Sequence, residues 1–295
     1  MTPFFNWWVI VITLVNIAAC FWLIKWTMKS RPGEVASGEA MDHSWDGLQE
    51  LNNPLPRWWL WLFYFTIVFA LVYLVIYPGL GNFKGVTGWS SHGQYDEEVA
   101  QSNAKYGPIF AAFSAKSIPE LVKDPAAMKA GERLFSNYCT QCHGSDAKGA
   151  THFPNLTDND WLYGGKPEQI EQTIMMGRNG AMPAWLPSLG EQKVNDVANY
   201  VQSLSGRPVD KASAEAGKKV FMTMCIACHG ADAKGNQMLG AANLTDTTWL
   251  HGGTAKRIKQ TISNGRTSHM PAHDKFLGKD KVHLVAAYVY SLSHK

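Results

Sequence analysis

Cys139-Thr140-Gln141-Cys142-His143 and Cys225-Ile226-Ala227-Cys228-His229 are two copies of one pattern, C-x-x-C-H. It is the attachment signature of a c-type haem, in which two thiols add to porphyrin vinyl groups and the His ligates the iron. The two-residue gap lets one helical turn present both sulfurs to one haem edge, and the next residue then reaches the metal. A lone C-x-x-C has rival readings, as half a zinc site or a thioredoxin-like redox pair. Two such pairs even make a conceivable four-cysteine zinc site. The His after each pair, and a Met-Pro at the same place further along each copy, decide for two covalent haems.

The surroundings repeat as well. Ala130–Gly149 matches Ala216–Gly235 at an offset of 86, and beyond a two-residue insertion the offset is 88. Asn155–Asp158 then matches Asn243–Asp246, Trp161 matches Trp249, and Met182-Pro183-Ala184 matches Met270-Pro271-Ala272. The expectation is two small haem domains, 130–206 and 207–295. Each reads as all-α: a first helix into C-x-x-C-H, a middle helix (Glu168–Met176 or Ala255–Asn264) and a final amphipathic helix (Glu191–Leu204 or Lys279–Leu292). Domains of this size have marginal cores, so the buried haem is expected to complete them.

Met182 and Met270 are the distal-ligand candidates, since each lies about forty residues beyond a haem His and a Pro follows it in both copies. Met175, Met176, Met222 and Met224 have no Met counterpart and fail the repeat test. His269 and His273 flank Met270 and offer a bis-His alternative, confined to the second copy. The sequence leaves one question open. Each Met serves the haem of its own repeat, or the repeats exchange loops, with Met182 serving the second haem and Met270 the first.

Upstream, Thr2–Ile24 and Trp58–Tyr77 contain no charged residue. Each is long enough to cross a hydrocarbon core as a helix. Trp7, Trp8, Trp22 and Trp26, and Trp58, Trp59, Trp61, Tyr73 and Tyr77, place aromatic residues near the interfaces. The first run is too long for a signal-peptide core and lacks a basic leader, so it is expected to be retained. Lys25, Lys29, Arg31 and Arg57 border the loop between the spans, which makes that loop cytoplasmic by the positive-inside rule. Both termini and the haem domains then face the periplasm, the side on which c-type haem is attached. The expected organisation is 1–27 first span, 28–56 cytoplasmic loop, 57–78 second span and 79–129 periplasmic connector. Short helices are expected at Gln94–Tyr106 and Ile109–Ser114.

Of five cysteines, four belong to the motifs, and Cys20 reads as a small hydrophobe within the first span. A net charge of +3 over 295 residues gives no argument for nucleic acid. His43, His92, His152, His251, His283 and His294 read as loop or surface residues. No Ser-His-Asp set, phosphate loop or paired-carboxylate site is present in the haem domains, and six-coordinate irons leave no place for a substrate. That points to electron transfer rather than bond-making chemistry. Met128–Ser205 carries six Lys and Arg against eight Asp and Glu, and Gly206–Lys295 thirteen against six. Such a contrast offers partners of opposite charge different docking sites.

Asn52–Pro78 (NNPLPRWWLWLFYFTIVFALVYLVIYP) followed by glycine-rich loops and tandem haem domains resembles CcoP/FixP, the dihaem subunit of cbb3-type cytochrome c oxidase. The resemblance covers the chain from Trp45 onward, and the additional span Thr2–Ile24 departs from many members. With the two spans read from the apolar runs and their flanking charges, the expected chain is all-α, two transmembrane helices followed by two cytochrome c domains, and the resemblance implies a bacterial inner membrane. Electrons would pass from a donor cytochrome c through two haem c groups to a monohaem cytochrome c subunit, then to the b-type haem and copper of the catalytic subunit. Cys139, Cys142, Cys225 and Cys228 would hold the haems, His143 and His229 would be proximal ligands, and Met182 and Met270 distal. Oxygen would be reduced in another chain, so this one is an enzyme only as part of the complex. The alternatives are an electron-transfer subunit of another membrane dehydrogenase, a free-standing tethered cytochrome, and a dihaem peroxidase.

Overall fold

The computed structural model describes residues 1–294 and divides into two units after Ala104. In the first unit, α1 (Pro3–Thr27) starts with Pro at a position whose N–H needs no partner. Next come a short hairpin, β1 (Ala40–Trp45) and β2 (Leu48–Leu51), and a second helix, α2 (Arg57–Ile76). Both helices are apolar on every side and almost wholly exposed, as lipid-facing helices are. They meet at Phe21 and Tyr64, whose ring centroids are 5.9 Å apart. Beyond α2 the chain returns to the start of α1: the Asn82 amide donates to Asn6 Oδ1 at 2.6 Å, and Asn82 Nδ2 to the Met1 carbonyl at 3.3 Å. The N-terminus and the exit from α2 therefore share one end of the helix pair.

The connector helix, α3 (Ser91–Ser114), runs unbroken through Pro108, where two short helices were expected. Proline removes one rung of the hydrogen-bond ladder, and the turns on either side carry the helix through. The expectation of an all-α chain gives way to a mostly helical one with two short antiparallel β pairs.

The second unit contains α4 (Ile118–Leu121), α5 (Pro125–Tyr138), α6 (Thr140–His143), α7 (Pro167–Met176), β3 (Arg178–Met182) and α8 (Leu186–Leu204). The second repeat follows with α9 (Lys211–Met224), α10 (Ile226–His229), α11 (Ala255–Asn264), β4 (Arg266–Met270), α12 (Asp274–Leu277) and α13 (Lys279–Ser293). Asp124 caps α5 by accepting from the amides of Ala126 and Ala127, and Asp210 caps α9 through Ser213. Gly190 and Gly278, both at positive φ, break the chain just before the straight part of each final helix.

Each final helix packs on the other repeat. One core joins Phe135 of α5 and Ile170 and Ile174 of α7 to Val282, Leu284, Val285, Ala286 and Val289 of α13. The other joins Val194, Val197, Ala198 and Val201 of α8 to Phe221 of α9 and Ile258 and Ile262 of α11. The crossings are close because glycine stands at each. A Cβ on Gly131 of α5 would lie 2.8 Å from Tyr288 Cβ, and one on Gly217 of α9 would overlap the Asp196 carbonyl. Aromatic pairs flank both crossings, Phe135 with Tyr288 at 5.4 Å and Phe221 with Tyr200 at 5.2 Å.

The exchange passes through β3 and β4. They pair antiparallel over five residues, with Arg178 opposite Met270 and Met182 opposite Arg266.

Candidate functional site

The C-x-x-C-H stretches are built alike. Each first Cys ends a long helix, its amide bonded to the carbonyl of Phe135 or Phe221, and the next four residues form a single helical turn ending in His. His143 Nδ1 lies 3.1 Å from the Pro154 carbonyl and His229 Nδ1 2.9 Å from the Ala242 carbonyl. A carbonyl only accepts, so the ring proton sits on Nδ1 and the Nε2 lone pair is left for a metal. Burial, more than the opposing Pro154 hydrogen bond, holds His143 below its ordinary pKa, in the neutral form that ligates. Burial and the neighbouring second cysteine push the Cys139 and Cys225 thiols up to about 11, while Cys142 and Cys228 are exposed. All four stand free of disulfides.

Met270 packs into the core that contains Phe135 and Cys139, and Met182 into the core that contains Phe221 and Cys225. The Met-Pro loops are fixed there by backbone contacts. The Cα of Gly177 lies against the Met270 carbonyl and the Ala272 amide, and His273 N donates to the Ile174 carbonyl at 3.1 Å. In the mirror contact, Gly265 lies against the Met182 carbonyl and Ala184, and Trp185 N donates to the Ile262 carbonyl at 3.0 Å. The packing groups the candidates crosswise between the repeats. His143 and Met270 share one body, and His229 and Met182 the other. Four residues of extended chain, about 13 Å, separate the two methionines along the β3–β4 ribbon.

Among the described residues, three buried side-chain nitrogens have no hydrogen-bond partner: Trp161 Nε1, Trp249 Nε1 and His273 Nδ1. Unpaired buried donors are costly and call for an acceptor. Trp161 borders the first core and Trp249 the second, at matching repeat positions. A haem in each body would bring carboxylates of the kind these indole N–H groups lack. Paired thiols, a His whose Nδ1 is bonded to a backbone carbonyl and whose Nε2 is free, a thioether and an orphaned donor in each body fit haem c.

His269 Nδ1 lies 2.6 Å from Asn179 Oδ1, on the ribbon, and is exposed. His273 remains beside His143, close enough to depress its pKa. Of the histidines expected in loops or at the surface, His152 and His251 lie in turns, as expected, and His283 instead stands half-buried in α13. His283 bridges Glu171 at 3.0 Å and the Lys116 carbonyl at 2.9 Å, while His152 and His251 meet Nδ1 to Nδ1 at 2.7 Å.

Arg178 and Arg266 escaped the sequence reading. Arg178 donates to Thr173 at 3.0 Å and lies 4.8 Å from the Tyr163 ring centroid, and Arg266 donates to Thr261. Both are half-buried on the ribbon between the bodies, and among the described residues neither has a carboxylate partner. The signal was available, because both arginines and both threonines recur at the offset of 88.

The chain matches the family model described as cytochrome c oxidase, cbb3-type, subunit III, over residues 126–201 and again over 212–289. Residues 37–84 match the N-terminal domain of cytochrome oxidase-cbb3, FixP. The chain belongs to the CcoP/FixP family of cbb3-type oxidase subunits. It is 47% identical to the CcoP subunit of Rubrivivax gelatinosus, over 99% of this chain and 97% of that one. It is 42% identical to FixP of Bradyrhizobium sp. (strain ORS 278), over 89% and 97%, and 37% identical to CcoP of Rhodobacter capsulatus, over 90% and 99%. As a CcoP/FixP chain it is a membrane protein, a haem c-binding subunit of an oxidase complex.

The exchange changes how charge is distributed on this CcoP/FixP chain. The contrast between the sequence repeats is slightly diluted in space, because α12 and α13 carry Lys275, Lys279 and Lys281, against Asp274 and Asp280, onto the body of the acidic first repeat.

Proposed function

We propose that this chain carries two covalent haem c groups and relays electrons from a donor cytochrome c toward the catalytic subunit of a cbb3-type oxidase. Each haem c supplies a one-electron Fe(III)/Fe(II) couple whose potential is raised by His/Met ligation. Cys139, Cys142 and His143 hold the first, with Met270 as the distal ligand. Cys225, Cys228 and His229 hold the second, with Met182. The monohaem cytochrome c subunit and the b-type haem/copper subunit are the partners downstream.

The observation that carries this reading is the crossed pairing of a His and a Met in each body. With a haem c held in each body, a His and a Met would fill both axial positions, which would suit electron transfer and leave no place for a substrate. The residues act by holding rather than by reacting. Pro154 and Ala242 orient the imidazoles, Trp161 and Trp249 offer donors to the carboxylates, and the ribbon fixes both sulfurs. α1 and α2 anchor the chain in a bacterial inner membrane, with both termini periplasmic and the hairpin cytoplasmic. The shared end of Met1 and Asn82 supports that topology.

The test is a reduced-minus-oxidised spectrum with metal analysis on the complex purified through this chain. Haem c at two per chain, together with haem b and copper, is the expected result. Haem c alone would leave a tethered dihaem cytochrome. A second reading holds at one position only: His273 is half-buried beside His143 and its Nδ1 has no hydrogen-bond partner, so it is a rival sixth ligand. A Met270→Ala variant that stays low-spin would assign that role to His273.

A further inference from the structure

The segment joining the two membrane-spanning helices is a folded hairpin with little packed against it. Its pairing begins where Gly38 N donates to the Asn52 carbonyl and Asn52 N to the Glu39 carbonyl, each at 2.8 Å. It continues through Ser44 opposite Gln49 to Trp45 opposite Leu48. Asp46 and Gly47, at φ 49° and 83°, close it in the two-residue turn that such dipeptides favour. Every residue of both strands is exposed except the half-buried Met41. A two-stranded hairpin alone in water is marginal at best and needs a third strand or a packing partner.

The exposed surface shows what kind of partner fits. Trp45 and Leu48 lie directly opposite each other, hence on one face, and are 69% and 75% exposed. His43 stands edge-on to Trp45 at 5.8 Å, and Glu50 follows Leu48 on the same face. Between Arg31 and Arg57 there is no Lys or Arg, whereas Glu34, Glu39, Asp42, Asp46 and Glu50 give five carboxylates. Anionic lipid headgroups repel such a segment. Cytoplasmic loops of integral membrane proteins, by contrast, are rich in Lys and Arg. The match to the N-terminal domain model of FixP covers residues 37–84, the hairpin together with α2.

We infer that the hairpin Ala40–Leu51 docks on a Lys/Arg-bearing cytoplasmic segment of a neighbouring integral membrane subunit of the oxidase. Trp45 and Leu48 form the apolar anchor, and Asp42, Asp46 and Glu50 the acidic rim. This rests on the topology proposed above. The hairpin thus ties the complex together on the cytoplasmic face of the membrane.

The test uses the full chain in membranes of cells that assemble the oxidase, with a photoreactive benzoyl-phenylalanine in place of Leu48. An adduct to a Lys/Arg-containing peptide of another membrane subunit is expected, and adducts to lipid alone, or none, overturn the inference. Independently, Trp45→Ser combined with Asp42→Lys and Glu50→Lys should lower co-purification of the other subunits about tenfold, as for loss of an anchor residue. The added lysines reinforce the cytoplasmic placement, and haem content reports that the chain is otherwise intact. Unchanged co-purification would sink the proposal. Labelling of Ser44→Cys by an impermeant maleimide separates the two readings. Reaction in inverted vesicles supports the topology, and reaction in spheroplasts refutes it together with the cytoplasmic partner. Inverted-vesicle labelling with a lipid-only adduct refutes the docking alone.

Discussion

Replacing Phe221 by Ala tests the crossed architecture most directly. Phe221 is 1% exposed and sits between Val194 and Val197 of α8 and Ile258 of α11. Emptying such a site costs about 3–5 kcal/mol, comparable to the whole stability of a small domain. The loss falls on the packing of α8, which holds the Met182 loop, and not on α13 and Met270. The assay is the Met–iron charge-transfer band of the oxidised protein, with haem content measured beside it. Phe221→Ala should remove about half of the band, one Met–iron bond of two. Adding Met182→Ala should change nothing further, whereas adding Met270→Ala should abolish the remainder. The two Met combinations thus form a double-mutant comparison, coupled for Met182 and additive for Met270. If Phe221→Ala instead proves coupled to Met270 and independent of Met182, each repeat ligates its own haem and the crossing is wrong.

Gly217→Ala places a methyl group against the Asp196 carbonyl, and overpacking of that kind costs about 1–3 kcal/mol; the Met182 half of the charge-transfer band should weaken, with the Met270 half unchanged. Trp161→Phe keeps the ring but removes the orphaned N–H, so a redox titration should show one haem with a lowered potential, and Trp249→Phe should move the other. His251 is held down to about 4, first by burial and then by Arg266 and His152. Its folded pKa lies below the unfolded one, so the unfolded chain binds the extra proton between about pH 6.5 and 4, and stability falls as pH drops through that window. Melting temperatures measured from pH 7 to pH 5 should therefore decline less steeply in His251→Asn than in the unmodified protein; equal slopes would remove His251 from the account.

Much of the haem chemistry was legible because it is local. Cys139 to His143 is one helical turn, and its meaning depends on nothing distant. Met182 and Met270 were legible through comparison of the repeats, since each alone is indistinguishable from core filler. The crossing was not legible. α8 and α13 end in the same Tyr-Val-x-Ser-Leu-Ser pattern and present similar apolar faces, so either helix suits either partner by periodicity. What selects the exchange is the antiparallel pairing of Arg178–Met182 with Arg266–Met270, a contact between strands too short to announce themselves. The hairpin did carry a signal, Asp46-Gly47 between Trp45 and Leu48, which the surrounding charges obscured. Pro108 misled in the opposite sense, as a helix breaker inside a helix that continues.

The crossing of α8 and α13 also sets an order of completion. A chain delivered from its N-terminus exposes His143 long before Met270 exists beside it, so the first motif to be made is the last to gain its proposed distal Met. The second pocket has Met182 in hand before His229 emerges. A chain that keeps β4 but loses α13 would therefore keep the packing around Met182 and lose that around Met270, and damage at the C-terminus would be felt at the motif nearest the membrane helices in sequence.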